Sequence, residues 1–266
     1  MSGSDVPVGG WAADTADWWQ REFTDGVDPE YTEQIIPIIV EQVTGNSSSG
    51  TAQLPMRVLD IGTGEGQVAR ALRSAGAEVI GIDPISAMIH EAGNRDPAMA
   101  VAQAGGGALP FADESFDKAV ACLVFEHIDD VDEAIADVAR VLKPGGTFLF
   151  LLNHPLLQTP DSGWIDDQII EPPEQYWRIG PYLIEQATVE EVQKDVFIRF
   201  IHRPLSRYLN TLSKNGLLLH EMIEPAPPEG FLAQAPQFRD AGTVPRLLVL
   251  RLVKAGSSVR AGDVQG

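Results

Sequence analysis

The stretch VLDIGTGEGQVAR (58–70) decides the fold. Its first half is an apolar run suited to a buried strand, its second half opens a helical pattern, and Gly62, Gly64 and Gly66 lie between them. Glycines at such a junction permit a tight turn with positive φ and leave bare backbone that a ligand can approach, where a Cβ would block it. The spacing is G-x-G-x-G, with an acid, Asp60, two positions before the first glycine. The dinucleotide fingerprint is instead G-x-G-x-x-G. A carboxylate beside the turn favours a ligand with a cationic end over a pyrophosphate. One strand further on, EVIGID (78–83) ends in Asp83, the βαβ position where an acid accepts hydrogen bonds from ribose hydroxyls. The ligand expected here carries a ribose and a positive charge.

Outward from this pair, short strand-like runs alternate with helical ones, the pattern of a parallel sheet with crossover helices. Strands are expected at 57–62, 78–83, 99–102, 116–125 and 146–153, and at 217–223 and 246–253. Helices are expected at 67–74, 85–92, 131–142 and from Pro204 to the stop at Gly216. In 131–142 the apolar Val131, Ala134, Ile135, Val138, Val141 and Leu142 share one face, Asp130 can cap the start, and Lys143-Pro144-Gly145-Gly146 ends it. The fold class is α/β, a doubly wound, mostly parallel seven-stranded sheet. Residues 1–53 form a helical cap and linker, with 44–53 (TGNSSSGTAQ) as a flexible joint. Residues 54–254 form the main domain, and 255–266 a frayed tail.

The motifs resemble those of the class I S-adenosylmethionine-dependent methyltransferases, in particular the broad small-molecule branch. Five segments carry the resemblance in order: DIGTGEG (60–66), GIDP (81–84), ALPFADESFD (108–117), EHIDD (126–130) and VLKPGGT (141–147). The resemblance implies S-adenosylmethionine as cofactor and S-adenosylhomocysteine as product. Gly62 and Gly64 would border the methionine part, Thr63 and Gly66 belong to the same cofactor-binding turn, and Asp60 would act through backbone and ordered water. Asp83 would hold both ribose hydroxyls, Pro84 would flank the adenine, and Leu123 would border the methionine end. Met88 either flanks the adenine or fills its helix's core. One departure stands out. The family usually has Gly-Asp-Ala a few residues before Leu-Pro-Phe, whereas this chain has Ala104-Gly105-Gly106-Gly107. Main-chain groups at Gly105 and Gly106 are left to read the adenine edge, which implies weaker or more plastic adenine binding and motivates an alternative reading as a catalytically silent binding module.

Acceptor-side residues must come from the carboxyl ends of the strands, where open α/β sheets bind ligands. His127 follows the fourth strand and serves either structure or catalysis, whereas His154 follows the fifth and is a candidate base or hydrogen-bond donor. Residues 154–201 interrupt the sheet without an evident secondary-structure pattern and read as a lid or specificity element. Their Trp164, Tyr176, Trp177 and Tyr182 either line an acceptor pocket or cover a sheet edge. Trp11, Trp18 and Trp19 either close the same pocket or anchor the cap. His202, Arg203, Arg207 and Tyr208 surround the start of the later helix and either hold an acceptor anion or form ion pairs.

Composition narrows the partners. The 266 residues carry 19 Lys+Arg against 38 Asp+Glu, a formal charge of −19. Nucleic-acid binding draws on clustered cations, and no basic run exists here. One cysteine, Cys122, allows no intramolecular disulfide, the opening residues lack a signal-like pattern, and no apolar run approaches a membrane span. A cytosolic enzyme is expected, as monomer or homodimer, without nucleic acid, membrane or metal, acting on O or N of a small organic acceptor. An NAD(P) oxidoreductase would require G-x-G-x-x-G and a proton-relay pair such as Tyr-x-x-x-Lys, and neither is present.

Overall fold

The computed structural model describes residues 13–24, 27–45, 55–234 and 240–256. Trp11, most of the expected joint at 44–53 and most of the expected tail lie outside them.

The glycine-turn stretch forms strand β1 (Arg57–Ile61) and helix α3 (Gln67–Ser74). Ahead of it, the cap contains α1 (Ala13–Phe23) and a π-helical turn (Tyr31–Ile35) that runs into α2 (Ile36–Thr44). The chain then alternates through β2 (Glu78–Asp83), α4 (Ser86–Arg95), β3 (Ala100–Gln103), β4 (Phe116–Cys122), α5 (Val131–Val141) and β5 (Leu142–Asn153). After residues 154–201 come α6 (Leu205–Lys214), strand Leu217–Ile223, α7 (Glu229–Ala233) and strand Leu247–Lys254.

Residues 154–201 are not structureless. They form two antiparallel hairpins, β6 (Gly163–Asp167) with β7 (Glu174–Arg178), and β8 (Gln186–Gln193) with β9 (Val196–His202). Alternation in stretches such as FIRFIH pairs across strands, and this period-two pattern is masked in the sequence by prolines and charges between the strands. The last two sheet strands are therefore β10 (Leu217–Ile223) and β11 (Leu247–Lys254). The main sheet has the order β10-β11-β5-β4-β1-β2-β3. Its last strand, β11, runs antiparallel between β10 and β5, and the other neighbours are parallel.

Side chains alternate across the sheet and so build a core on each face. Leu59, Ile61, Phe148, Phe150 and Leu152 face α5 and α6, meeting Ile135, Val138 and Leu212. Val58, Leu149 and Leu151 face the opposite way, against Ile35, Ile39 and Val43 of the cap and Val68 and Leu72 of α3. Asp130 caps α5 as expected, its Oδ1 accepting from Glu133 N–H at 2.9 Å. Each fully buried aliphatic side chain contributes roughly 1.5–3 kcal/mol, so both faces are firmly closed and the open ground lies at the carboxyl ends of β1, β2 and β4. The cap leans over that end: α1 packs on α4 and β9, and Gln20 Nε2 reaches Met88 Sδ at 3.9 Å.

Candidate functional site

Beyond the end of β1 the backbone turns through three left-handed glycines, Gly62 at φ 69°, Gly64 at φ 55° and Gly66 at φ 87°. They differ in what a side chain would meet. At Gly62 a Cβ would collide with the Val124 side chain, so this glycine serves packing between the β1 and β4 loops. At Gly64 nothing lies within 4 Å. Its bare backbone borders a cavity, the position where a ligand needs the missing Cβ. Thr63 pins the turn, donating its hydroxyl to Asp60 Oδ2 at 2.6 Å and its N–H to Ile82 O at 2.8 Å.

Asp83 closes the pair. Its Oδ2 accepts from Gly64 N–H at 3.1 Å and its Oδ1 from Ile85 N–H at 2.8 Å. Each oxygen keeps a further lone pair for a donor such as a hydroxyl, and Asp83 lines the cavity. Burial raises the Asp83 carboxyl above its usual range despite those two N–H groups. Asp60 is pushed up to about 6, chiefly by burial; the Thr63 hydroxyl opposes this and the Asp83 charge adds to it. Two carboxylates thus share a partly dehydrated cavity.

The cavity brings together Asp60, Gly62, Thr63, Gly64, Asp83, Pro84, Met88, Gly106, Leu123 and His127, with Trp19 from the cap. The lining does not include Gly66, which turns the chain behind it, or Gly105; Ala104 and Gly106 stand at that edge instead. Leu123, a residue without the freedom of glycine, has φ 56°. Such a conformation persists only where the surroundings impose it and marks functional sites; here the Leu123 N–H is held by Leu151 O at 3.0 Å. The described lining residues include Asp60, Glu65 and Asp83 but no Lys or Arg.

Several lining residues escaped the sequence reading, notably Glu65, Cys122 and Tyr31. The Tyr31 hydroxyl hydrogen-bonds the Cys122 thiol, and burial followed by that thiol raises the phenol's ionisation well above the usual range. Tyr31 begins the π-helical turn and meets Trp19 edge to face at 6.0 Å. No local signal marks a π turn, although such turns recur at functional sites.

Other candidates are placed elsewhere. His154 does not line this cavity. It lies beyond β5, which β4 separates from β1, and both ring nitrogens are engaged: Nδ1 accepts from Leu156 N–H at 3.2 Å and Nε2 meets Glu224 Oε1 at 2.8 Å. Arg203 offers nothing to an anion. It is 2% exposed, and its guanidinium donates to Glu185 Oε1 and to the carbonyls of Phe125, Ile128 and Asp129 at 2.8–3.1 Å. Arg207 pairs with Asp132 at 2.7 Å. His202 Nε2 donates to Tyr182 O at 2.7 Å, and the Tyr182 hydroxyl accepts from Leu205 N–H at 2.9 Å, so both tie the hairpins to α6. Tyr208 is in the core against Phe150. Trp164 and Trp177 are cross-strand partners in the β6–β7 hairpin with ring centroids 5.7 Å apart, and Tyr176 is half exposed beside them; none lines the cavity. Trp18 is buried in an aromatic cluster with Trp19 and Phe23. Among the described residues no group of three His, Cys, Asp or Glu can hold a metal, and no helix is long and apolar enough to cross a membrane.

The residues fit S-adenosylmethionine: a bare backbone turn, a carboxylate with lone pairs to spare, and a second carboxylate able to face a sulfonium, all in one cavity. Residues 59–150 match a family described as methyltransferase domain. An uncharacterised methyltransferase of Mycolicibacterium vanbaalenii is 34% identical over 119 residues, 44% of this chain and 46% of that protein. A malonyl-[acyl-carrier protein] O-methyltransferase of Pseudescherichia vulneris is 38% identical over 96 residues, 36% of this chain and 38% of that protein. The match thus spans less than half the length of these curated relatives. The crystal structure of an S-adenosylmethionine-dependent methyltransferase from Mesorhizobium loti superposes with a TM-score of 0.65 at 26% identity, covering 74% of this chain and 90% of that one. Taken together, these matches identify residues 59–150 as a methyltransferase domain, set in a fold shared with an S-adenosylmethionine-dependent methyltransferase.

Proposed function

We propose that the chain transfers a methyl group from S-adenosylmethionine to an oxygen or nitrogen of a small organic acceptor. The observation that carries this reading is the bond from Gly64 N–H to Asp83 at 3.1 Å, which joins the glycine turn and the ribose-type acid in one cavity wall. Bound there, the cofactor supplies a methyl group made electrophilic by its sulfonium. The chain's own work is to bind, orient and exclude water. Asp83 accepts from the ribose hydroxyls, the Gly62 to Gly64 backbone receives the methionine part, and Pro84, Met88 and Gly106 enclose the adenine. Ionised Asp60 offsets positive charge. Trp19 of α1 and Tyr31 of the π-helical turn close the acceptor side, so these two elements work as a cap, with β9 as the neighbour of α1. A concave cavity walled in part by Trp19 and Tyr31, in a chain of charge −19, favours a small acceptor over nucleic acid. The single cysteine, which leaves no partner for an intramolecular disulfide, accords with work in the cytosol.

The test is binding of S-adenosylmethionine and S-adenosylhomocysteine, followed by methyl transfer across a panel of small phenols, amines and carboxylic acids. Turnover with a phenol or amine is the expected result. Saturable binding with no turnover on any of them would instead make the chain a silent binding module.

A further inference from the structure

His127 lines the cavity, yet what orients it lies outside. Its Nδ1 is 3.0 Å from the carbonyl oxygen of Arg199 on β9. A carbonyl only accepts, so in the neutral ring this contact places the proton on Nδ1 and leaves the lone pair on Nε2. Phe200, the next residue of β9, packs on the imidazole with ring centroids 4.9 Å apart. The same hairpin grips the loop on both sides of His127. Arg199 pairs with Asp129 at 2.6 Å, and Arg203, just past β9, ties down the carbonyls of Phe125, Ile128 and Asp129. This is the arrangement by which an active-site imidazole is held in one tautomer by a fixed acceptor behind it.

We infer, on the methyl-transfer reading above, that His127 is the proton acceptor for the methylated nucleophile, and that the β8–β9 hairpin is its positioning device through the Arg199 carbonyl and the Phe200 ring. As the acceptor's heteroatom bonds to the methyl carbon, the carbon–sulfur electron pair returns to sulfur, and the heteroatom's proton passes to His127 Nε2. The acceptor is thus a hydroxyl compound or an amine that carries a proton to lose. The described lining has carboxylates and no Lys or Arg, so an anionic group on the acceptor would find no counter-charge. The acceptor is neutral or cationic.

The experiment uses the full chain labelled with nitrogen-15 histidine, with the His127 signals assigned by their loss in His127→Gln. In mildly alkaline solution His127 is expected as the Nδ1–H tautomer, and Phe200→Ala is expected to admit the Nε2–H form while Phe200→Leu largely restores the wild-type pattern. An Nε2–H ring in the wild type overturns the assignment, and so does a Phe200→Ala spectrum identical to wild type. Benzylamine and benzoate are then titrated into protein saturated with S-adenosylhomocysteine. The amine should move the His127 signals and benzoate should not; the reverse order, or silence from both, overturns the acceptor class. Failure of S-adenosylhomocysteine to bind the wild type would instead sink the methyl-transfer reading itself, whichever tautomer is found.

Discussion

Gly64 and Asp60 perform different tasks within four residues of one another. Gly64→Ala forces a side chain into a left-handed conformation, at a cost of about 1–2 kcal/mol in stability. The added methyl meets no protein atom but stands at the cavity wall. Its effect on S-adenosylhomocysteine affinity should therefore exceed its effect on the denaturation midpoint; a variant that loses stability but binds normally would remove Gly64 from the site. Asp60, pushed up to about 6 from the usual 3.8, holds its proton more tightly folded than unfolded. Stability from this group therefore rises as pH falls from about 7 toward 4, and Asp60→Asn should flatten that part of the curve. Urea denaturation of both proteins at about pH 7 and about pH 5 reads the difference, with parallel slopes contradicting it. In the same range the ionised carboxylate should strengthen S-adenosylmethionine binding as pH rises. The roles of these two positions are readable in DIGTGEG because the turn demands glycine and the spacing to Asp83 is set by one βαβ unit. Tyr31 was not readable, since it reaches the cavity only through tertiary packing of the cap.

Among elements, the sheet strands and α3, α5 and α6 were legible to within a few residues because each has a buried face with its own period. The hairpins of 154–201 were not. They are two-stranded, partly exposed, and rest on contacts made far along the chain. Arg203 illustrates the difficulty: as a letter it is a cation near a helix start, whereas in the fold it is a buried strut between β9 and the His127 loop. Removing it takes the donor from the carbonyls of Phe125, Ile128 and Asp129, while Glu185 keeps Arg207 at 3.4 Å, so Arg203→Ala should destabilise by about 1–3 kcal/mol, the scale for leaving buried polar groups unsatisfied. Arg203→Lys should recover little, because an ammonium cannot span the same fork of acceptors. Thermal denaturation decides; a loss under about 1 kcal/mol, the worth of a surface pair, would mean that the strut carries no load. His154, likewise held by Leu156 and Glu224, should affect stability when replaced and leave turnover unaffected.

At the scale of the molecule, a closed two-faced core supports one open end, where α1 of the cap packs on α4 and β9. Such a site is completed by ligand, which stabilises the folded state by mass action: about 2.7 kcal/mol at a hundred-fold excess over the dissociation constant. Calorimetric titration of S-adenosylhomocysteine into the wild-type chain and Asp83→Ala tests the central claim most directly. One-to-one binding is predicted, weakened in the variant by about 1.5–3 kcal/mol, or roughly 10- to 150-fold, the loss of hydrogen bonds to a charged group. No binding by the wild type, or equal affinity in the two proteins, would contradict it.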